Sequence, residues 1–218
     1  MEQQIAPRTH GLLIRWAAQY DMLAWLLTHG REGRLRERMI SIAGLEEGES
    51  VLDIGCGTGT LAIAATRRVG PMGSVCGIDA SPPMIARAIR KATRASAPVL
   101  FQVAVAEDLP FPNQRFDVVL STLMLHHLPR NARQQCAAEI KRVLKVGGRV
   151  LAVDFGRAQR RGVLAHFHRH GHVDRSEMEG LLLNTGLITL NAGPLGMNNL
   201  HFVLAEVHDA ALEQRVNV

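Results

Sequence analysis

The sequence predicts an α/β protein, with a mostly parallel sheet covered by helices on both faces. Three observations predict it. Short runs rich in Val, Ile and Leu alternate with segments of helical period, the order that yields parallel strands joined by crossover helices. The first of these runs, Val51-Leu52-Asp53-Ile54, ends in the glycine-rich turn Gly55-Cys56-Gly57-Thr58-Gly59, and a helix-forming segment follows at once. The last two runs flank a loop holding Gly193, Pro194 and Gly196, which reads as a hairpin and makes the final strand antiparallel.

The elements follow in order. Residues 8–44 read as two helices. Leu12, Leu13, Trp16, Tyr20, Leu23, Leu26 and Leu27 recur at helical spacing, His29-Gly30 interrupts them, and Leu35, Met39, Ile40 and Ala43 resume the apolar face before Gly44. A strand is expected at about 50–55 and a helix at about 59–69, closed by the turn Gly70-Pro71-Met72-Gly73. The second strand, about 74–79, ends at Asp79. Ser81 as N-cap and Pro82 at the first helical position open the next helix. Further strands are expected at about 98–105 and, after a Pro-rich loop, at 116–121. A helix at about 130–144, a turn at Gly147-Gly148 and a strand at about 149–155 come next. Residues 156–173 show no period, and 174–185 read as a helix capped by Asp174 or Ser176. The last strands are placed at about 187–192 and 200–207. The sum is one domain over residues 1–218. Its core, 45–208, is a Rossmann-like seven-stranded, mostly parallel sheet with an antiparallel last strand. Residues 1–44 form an N-terminal helical lid and 209–218 a tail.

Apolar residues make up 47% and charged residues 21%, the globular range. No run approaches the roughly 20 apolar residues that span a bilayer. Met1-Glu2-Gln3-Gln4 lacks the basic cap and apolar core of a signal peptide, so a cytoplasmic protein is expected. Cys56, Cys76 and Cys136 are isolated, with neither metal spacing nor a disulfide framework, which suits a reducing compartment. The net charge is +5, and Arg157, Arg160, Arg161 and Arg169 fall in a stretch with no acid between Asp154 and Asp174. Such a patch suits an anionic ligand or peripheral contact with an anionic membrane. It lacks the interleaved aromatics of a nucleic-acid platform, so nucleic acid is not an expected partner. His166, His168, His170 and His172 alternate, but Arg169 and Gly171 argue for a loop, and no carboxylate or cysteine is interleaved. No metal site is expected.

The spacing of the glycine turn discriminates between ligands. A dinucleotide fingerprint, G-x-G-x-x-G, needs its third glycine at position 60, where Thr60 stands; Gly59 comes one residue early. A nicotinamide-dependent oxidoreductase is disfavoured for that reason, and because the only tyrosine is Tyr20. A G-x-G-x-G turn with Asp53 in the strand end suits a ligand without a pyrophosphate. S-adenosylmethionine fits, since its sulfonium welcomes a nearby carboxylate. Asp79 lies 20 positions after Gly59 at a strand end, where an acid accepts hydrogen bonds from ribose hydroxyls.

Five blocks now stand in order: Val51–Gly59; Gly77-Ile78-Asp79-Ala80-Ser81; Ala106-Glu107-Asp108-Leu109-Pro110-Phe111; Phe116–Ser121 with Leu125-His126-His127-Leu128; and Leu144-Lys145-Val146-Gly147-Gly148. Together they resemble the class I S-adenosylmethionine-dependent methyltransferases over about residues 50–155. Tyr20-Asp21 before a helix and a glycine is similar to the ubiquinone/menaquinone-biosynthesis C-methyltransferase branch. The resemblance implies roles position by position. Gly55, Gly57 and Gly59, with Cys56 as a small residue among them, would pack under the methionine and ribose parts of the ligand. Asp53 would orient its amino group, through water or the turn backbone. Asp79 would bind the ribose, and Ala80 and Met84 would line the adenine. Ser121 and Thr122 would place carbonyls near the methionyl ammonium. Tyr20 would close over the carboxylate, or else serve as a core tyrosine of its helix. The family often has Asp or Asn before Ala after the third strand; Val105-Ala106 departs from this, leaving adenine to the Ala106 amide and to Glu107 or Asp108.

Methyl transfer needs a base only if the acceptor carries a proton, and histidine suits that role near neutral pH. His126 and His127 follow the fourth strand on the carboxyl rim. Asp154, at the end of the fifth, is placed to hold a substrate hydroxyl or amine. The expected function is transfer of a methyl group to a small or lipophilic acceptor, either a quinone precursor or a phenolic metabolite. Phospholipid-headgroup N-methylation is the alternative within the class. A non-catalytic S-adenosylmethionine-binding regulator is the alternative outside it.

Overall fold

The computed structural model describes residues 32–156, 172–196 and 199–208. Helix α1 (Glu32–Ala43) leads into strand β1 (Ser50–Ile54), then α2 (Thr60–Val69), β2 (Ser74–Asp79), α3 (Pro82–Arg94) and β3 (Val99–Val103). After a loop come β4 (Phe116–Thr122), a single 3-10 turn (Leu125–His127), α4 (Arg130–Val143), β5 (Leu144–Phe155), α5 (Arg175–Leu183), β6 (Leu187–Pro194) and β7 (Leu200–Val207). The seven strands form one sheet in the order β3-β2-β1-β4-β5-β7-β6. β7 is antiparallel to both its neighbours, so the other six strands share one direction.

The apolar pattern decides which face each helix covers. Leu35, Met39, Ile40 and Ala43, the positions singled out by period, are the buried residues of α1. With Leu61 and Ala65 of α2 and Ile85 and Ala88 of α3 they pack on Val51, Leu120 and Leu151. The opposite face carries α4 and α5, whose Ala132, Cys136, Ile140, Met178 and Leu182 pack on Leu52, Ile54, Val119 and Val150. The chain leaves β1 toward one face and one side of the sheet, and β4 toward the other. A crevice therefore opens between their carboxyl ends, where open α/β sheets bind ligands.

Some boundaries differ from expectation. β5 begins at Leu144, and Gly147-Gly148 lie within it rather than before it. Phe116 pairs with Leu144 and Val118 with Arg149, so the one residue between them on β4, Asp117, faces four on β5. Gly147, at φ +73°, lets the excess bulge out and the strand resume. β3 stops at Val103, two residues early, because the chain folds back: the Ala104 amide donates to Asp79 and Val105 bridges to Asp108. β6 runs on through Gly193 and Pro194, which pair with Phe202 and His201 instead of forming the loop; proline is tolerated there because β6 is an edge strand. Asp174, not Ser176, caps α5, accepting from the Glu177 amide at 3.0 Å. Among the described residues no helix is long and apolar enough to cross a membrane. The expected first helix of the lid with Tyr20, the tail, the basic stretch Arg157–Arg169 and the alternating His166, His168 and His170 lie outside the described residues; His172 is exposed.

Candidate functional site

The glycine turn is shaped by backbone sterics. Gly55, Gly57 and Gly59 all have positive φ, at 70°, 53° and 76°. A side chain at Gly55 would run into Met124, and one at Gly59 would meet Phe101 and Ala88 at 2.5 and 2.9 Å. The turn needs glycine for conformation and for space together. Gly59 is the N-cap of α2, and Thr60 opens the helix.

Two carboxylates stand on the α2/α3 face of the sheet. Asp79 accepts from the Gly57 amide at 2.9 Å and from the Ser81 amide at 2.8 Å, tying the turn after β1 to the start of α3. Burial raises its pKa and those two amides partly offset the rise. Asp53, the penultimate residue of β1, is 1% exposed, and neither of its carboxylate oxygens makes a well-formed hydrogen bond. Burial, then the negative charge of Asp79, pushes its pKa up to about 8; the Ala62 amide pulls weakly the other way. The same burial and the same two acids raise the Cys56 thiol well above its ordinary value. A buried, unpartnered carboxylate is costly unless something donates to it, so the donor set here fits a ligand that brings a cation or an N–H. Lys91 of α3 reaches across to the Thr58 and Thr60 hydroxyls at 2.8 and 3.1 Å, a brace no sequence motif announced. Met84 is buried in the first turn of α3, and Ala80 is half-buried beside it. Val105 and Ala106 are both buried, in the segment folded over the end of β2, and Glu107 follows them, half-buried.

The opposite face carries a second constellation. Ser121 is fully buried at the end of β4 and its Oγ has no partner. Thr122 is half-buried, and Leu123 takes a left-handed φ of +56°, strain concentrated at the rim. The turn Leu125–His127 brings the His126 ring onto Asp154: Nδ1 lies 2.7 Å from one carboxylate oxygen, and the His126 amide donates to the other at 3.0 Å. Asp154 is fully buried and also accepts from the Phe155 amide at 2.7 Å. Expected on the rim as a substrate holder, it sits behind the histidine instead. A carboxylate accepts, so a neutral His126 ring would carry its proton on Nδ1 and its lone pair on Nε2. The His127 ring lies against His126 with centroids 3.9 Å apart and planes tilted by 44°, and Phe155 meets His126 edge-on at 5.5 Å. Asp53, Asp79 and the glycine turn thus stand at the carboxyl end of the sheet on one face, and His126, Asp154 and Ser121 at the same end on the other. Among the described residues no group of three His, Cys, Asp or Glu could hold a metal.

Comparison with known proteins gives this geometry a context. Residues 51–148 match a family described as a methyltransferase domain. Demethylmenaquinone methyltransferase of Thermus thermophilus is 36% identical over 139 residues, 64% of this chain and 62% of that one. The ubiquinone/menaquinone biosynthesis C-methyltransferase UbiE of Ralstonia pickettii is 34% identical over 158 residues, 72% of this chain and 63% of that one. The match thus spans less than two thirds of these curated relatives. Among solved structures, an S-adenosylmethionine-dependent methyltransferase from Aquifex aeolicus superposes with a TM-score of 0.68 at 22% identity, covering 79% of this chain and 89% of that one. A Haemonchus contortus phosphoethanolamine N-methyltransferase in complex with S-adenosylmethionine superposes equally well, 0.68 at 19% identity, over 83% of this chain and 53% of that one. At these identities the structures speak to the fold alone.

Proposed function

Residues 51–148 carry a methyltransferase domain in a chain that resembles the class I S-adenosylmethionine-dependent methyltransferases, and on that premise we propose that this protein transfers a methyl group from S-adenosylmethionine to a small protic acceptor. One observation carries the proposal: the Asp53 carboxylate, buried and without a well-formed hydrogen bond beside the glycine turn. It suits the amino group of the ligand. Asp79 keeps lone pairs for ribose hydroxyls while bonding the turn. The glycines let the backbone pass close under the ligand. Ala80, Met84, Ala106 and Glu107 line the adenine side, and Ser121 and Thr122 the methionine side. When bound, S-adenosylmethionine supplies an electrophilic methyl on its sulfonium.

The protein's own residues do the rest. His126, held by Asp154 on the turn that follows β4, would take the proton of an acceptor at Nε2. Taking the proton from a ring hydroxyl turns the acceptor into an anion whose ring carbon or oxygen is nucleophilic. Alignment of that atom with the methyl supplies much of the remaining rate. The relatives named for menaquinone and ubiquinone biosynthesis favour a quinone-precursor ring as acceptor. No described residue favours a phospholipid headgroup, and the His126–Asp154 pair supports catalysis over binding alone.

The test is titration calorimetry with S-adenosylmethionine and S-adenosylhomocysteine. Micromolar binding of both is expected, lost in Asp79→Ala and Gly57→Val. Folded protein that binds neither overturns the reading. With a demethylquinol acceptor, His126→Ala is expected to keep cofactor affinity and lose roughly 10²–10⁴-fold in turnover, the usual weight of a general base.

A further inference from the structure

We propose that Arg133 is the positioning residue that sets His126 on Asp154, and that Glu177 holds Arg133 in place. The inference rests on the reading of His126 as the base. The turn Leu125–His127 is only three residues long, and it leaves β4 through the strained Leu123. A turn this short does not hold a side chain to a fraction of an ångström by itself; its carbonyls must be tied. The Arg133 guanidinium lies one turn into α4 and donates from Nε to both the Leu125 carbonyl and the Leu128 carbonyl, each at 2.9 Å. These carbonyls flank His126-His127 on either side. Arg133 in turn reaches Glu177 at 2.5 Å through Nη1, and the Arg133 side chain is only 12% exposed. Glu177 sits in the first turn of α5 beside the Asp174 cap.

His126 is therefore gripped twice, by Asp154 from β5 through its ring and amide, and by Arg133 through the backbone on both sides. Releasing the second grip leaves the Nδ1–Asp154 hydrogen bond intact in composition but free to wander. Misplacement of that size costs rate without touching the cofactor half of the crevice.

The test reads the hydrogen bond directly. An imidazole N–H held by a buried carboxylate gives a downfield, slowly exchanging proton resonance, assigned by its loss in His126→Gln and in Asp154→Asn. Arg133→Met, which keeps the length of the stem and removes every donor, is expected to exchange that proton roughly tenfold faster, the weight of one charge-assisted hydrogen bond. Arg133→Gln, whose Nε2 stands where the arginine Nε donates to the Leu125 and Leu128 carbonyls, is expected to recover part of the protection. Affinity for S-adenosylhomocysteine stays within about twofold throughout. An unchanged exchange rate in folded Arg133→Met overturns the proposal. Should Arg133→Met fail to fold, Glu177→Ala decides: faster exchange supports the latch and an unchanged rate overturns it. Wild-type protein that binds no S-adenosylhomocysteine defeats the functional reading alone, since the resonance comparison stands without ligand.

Discussion

At the scale of single residues, Asp53 governs how this protein responds to pH. Its ordinary pKa is 3.8 and its pKa in the fold is about 8. The raised value means that the folded chain binds a proton which the unfolded chain has already released. Asp53 therefore contributes full stability below about pH 4 and loses it as pH rises toward 8, by at most about 1.4 kcal/mol per pH unit. Asp79 is raised as well and acts in the same sense. Thermal unfolding without ligand is expected to show a melting temperature that falls between pH 5 and 8, and Asp53→Asn is expected to flatten the fall. A ligand ammonium reverses the preference by favouring the charged carboxylate. Binding below pH 8 is then expected to release a proton, seen as a buffer-dependent heat in calorimetry; heats that match across buffers of different ionisation enthalpy would refute it. The residues in this balance were legible as letters, since Asp53 and Asp79 stand at strand ends beside glycines. Their partners were not. That Asp79 bonds Gly57 and Ser81 while Asp53 has only the Ala62 amide near it, without a well-formed bond, is a property of the folded turn. Asp154 shows the same limit: position put it on the rim, and only its three accepted hydrogen bonds show that it backs His126.

Elements were legible where period and punctuation agreed. The buried face of α1, Pro82 opening α3, and β2 from Ser74 to Asp79 all follow from side-chain pattern alone. The pattern failed where long-range pairing overruled local turn chemistry. Gly147-Gly148 looks like a turn in isolation, yet pairing with β4 absorbs it as a bulge in β5. Arg133, Lys91 and Arg142 could not be found in advance, because a charged residue on a helix looks the same whether it faces water or a loop. Arg142 illustrates the cost of missing them: it bonds Glu139 and the Leu109 and Phe111 carbonyls, fixing the Pro-rich loop onto α4. The glycine turn yields a sharper prediction. Gly59→Ala combines a left-handed backbone with a clash on Phe101, costs of about 1–2 and 1–3 kcal/mol. Denaturant melts are expected to show a loss on the order of 3 kcal/mol, with partial recovery when Phe101→Leu is added. Equal loss with and without the second change would place the cost in the backbone and the Ala88 contact rather than in Phe101.

On the scale of the molecule, the strand order matters more than any one contact. The run of βα units announced a mostly parallel sheet, but not that β1 and β4 would be neighbours with their helices on opposite faces. That crossing creates the crevice. Hydrogen exchange is expected to be slowest in β1, β4 and β5, each paired on both sides, and fastest among strands in the edge strands β3 and β6. S-adenosylhomocysteine is expected to slow exchange at residues 55–59 and 79–81 and leave the amino ends of the strands unchanged. Protection spread evenly over the sheet would count against a site confined to the carboxyl edge.

The place of β7 has a consequence for how the protein is made. This strand is the last of the sheet to leave the ribosome, yet it belongs in the interior, with β5 on one side and β6 on the other. Until Leu200–Val207 has emerged, β6 has no neighbour and β5 presents a bare edge, the sort of surface that recruits other nascent chains. The glycine turn, Asp79 and the His126 turn are all synthesised earlier, but the strand that carries Asp154 gains its second neighbour only when β7 inserts, with His201 opposite Asp154. A charged substitution such as Val203→Asp should therefore appear first as lost soluble yield, in molecules that never finish the sheet, while the few that do finish it bind ligand as the parent does.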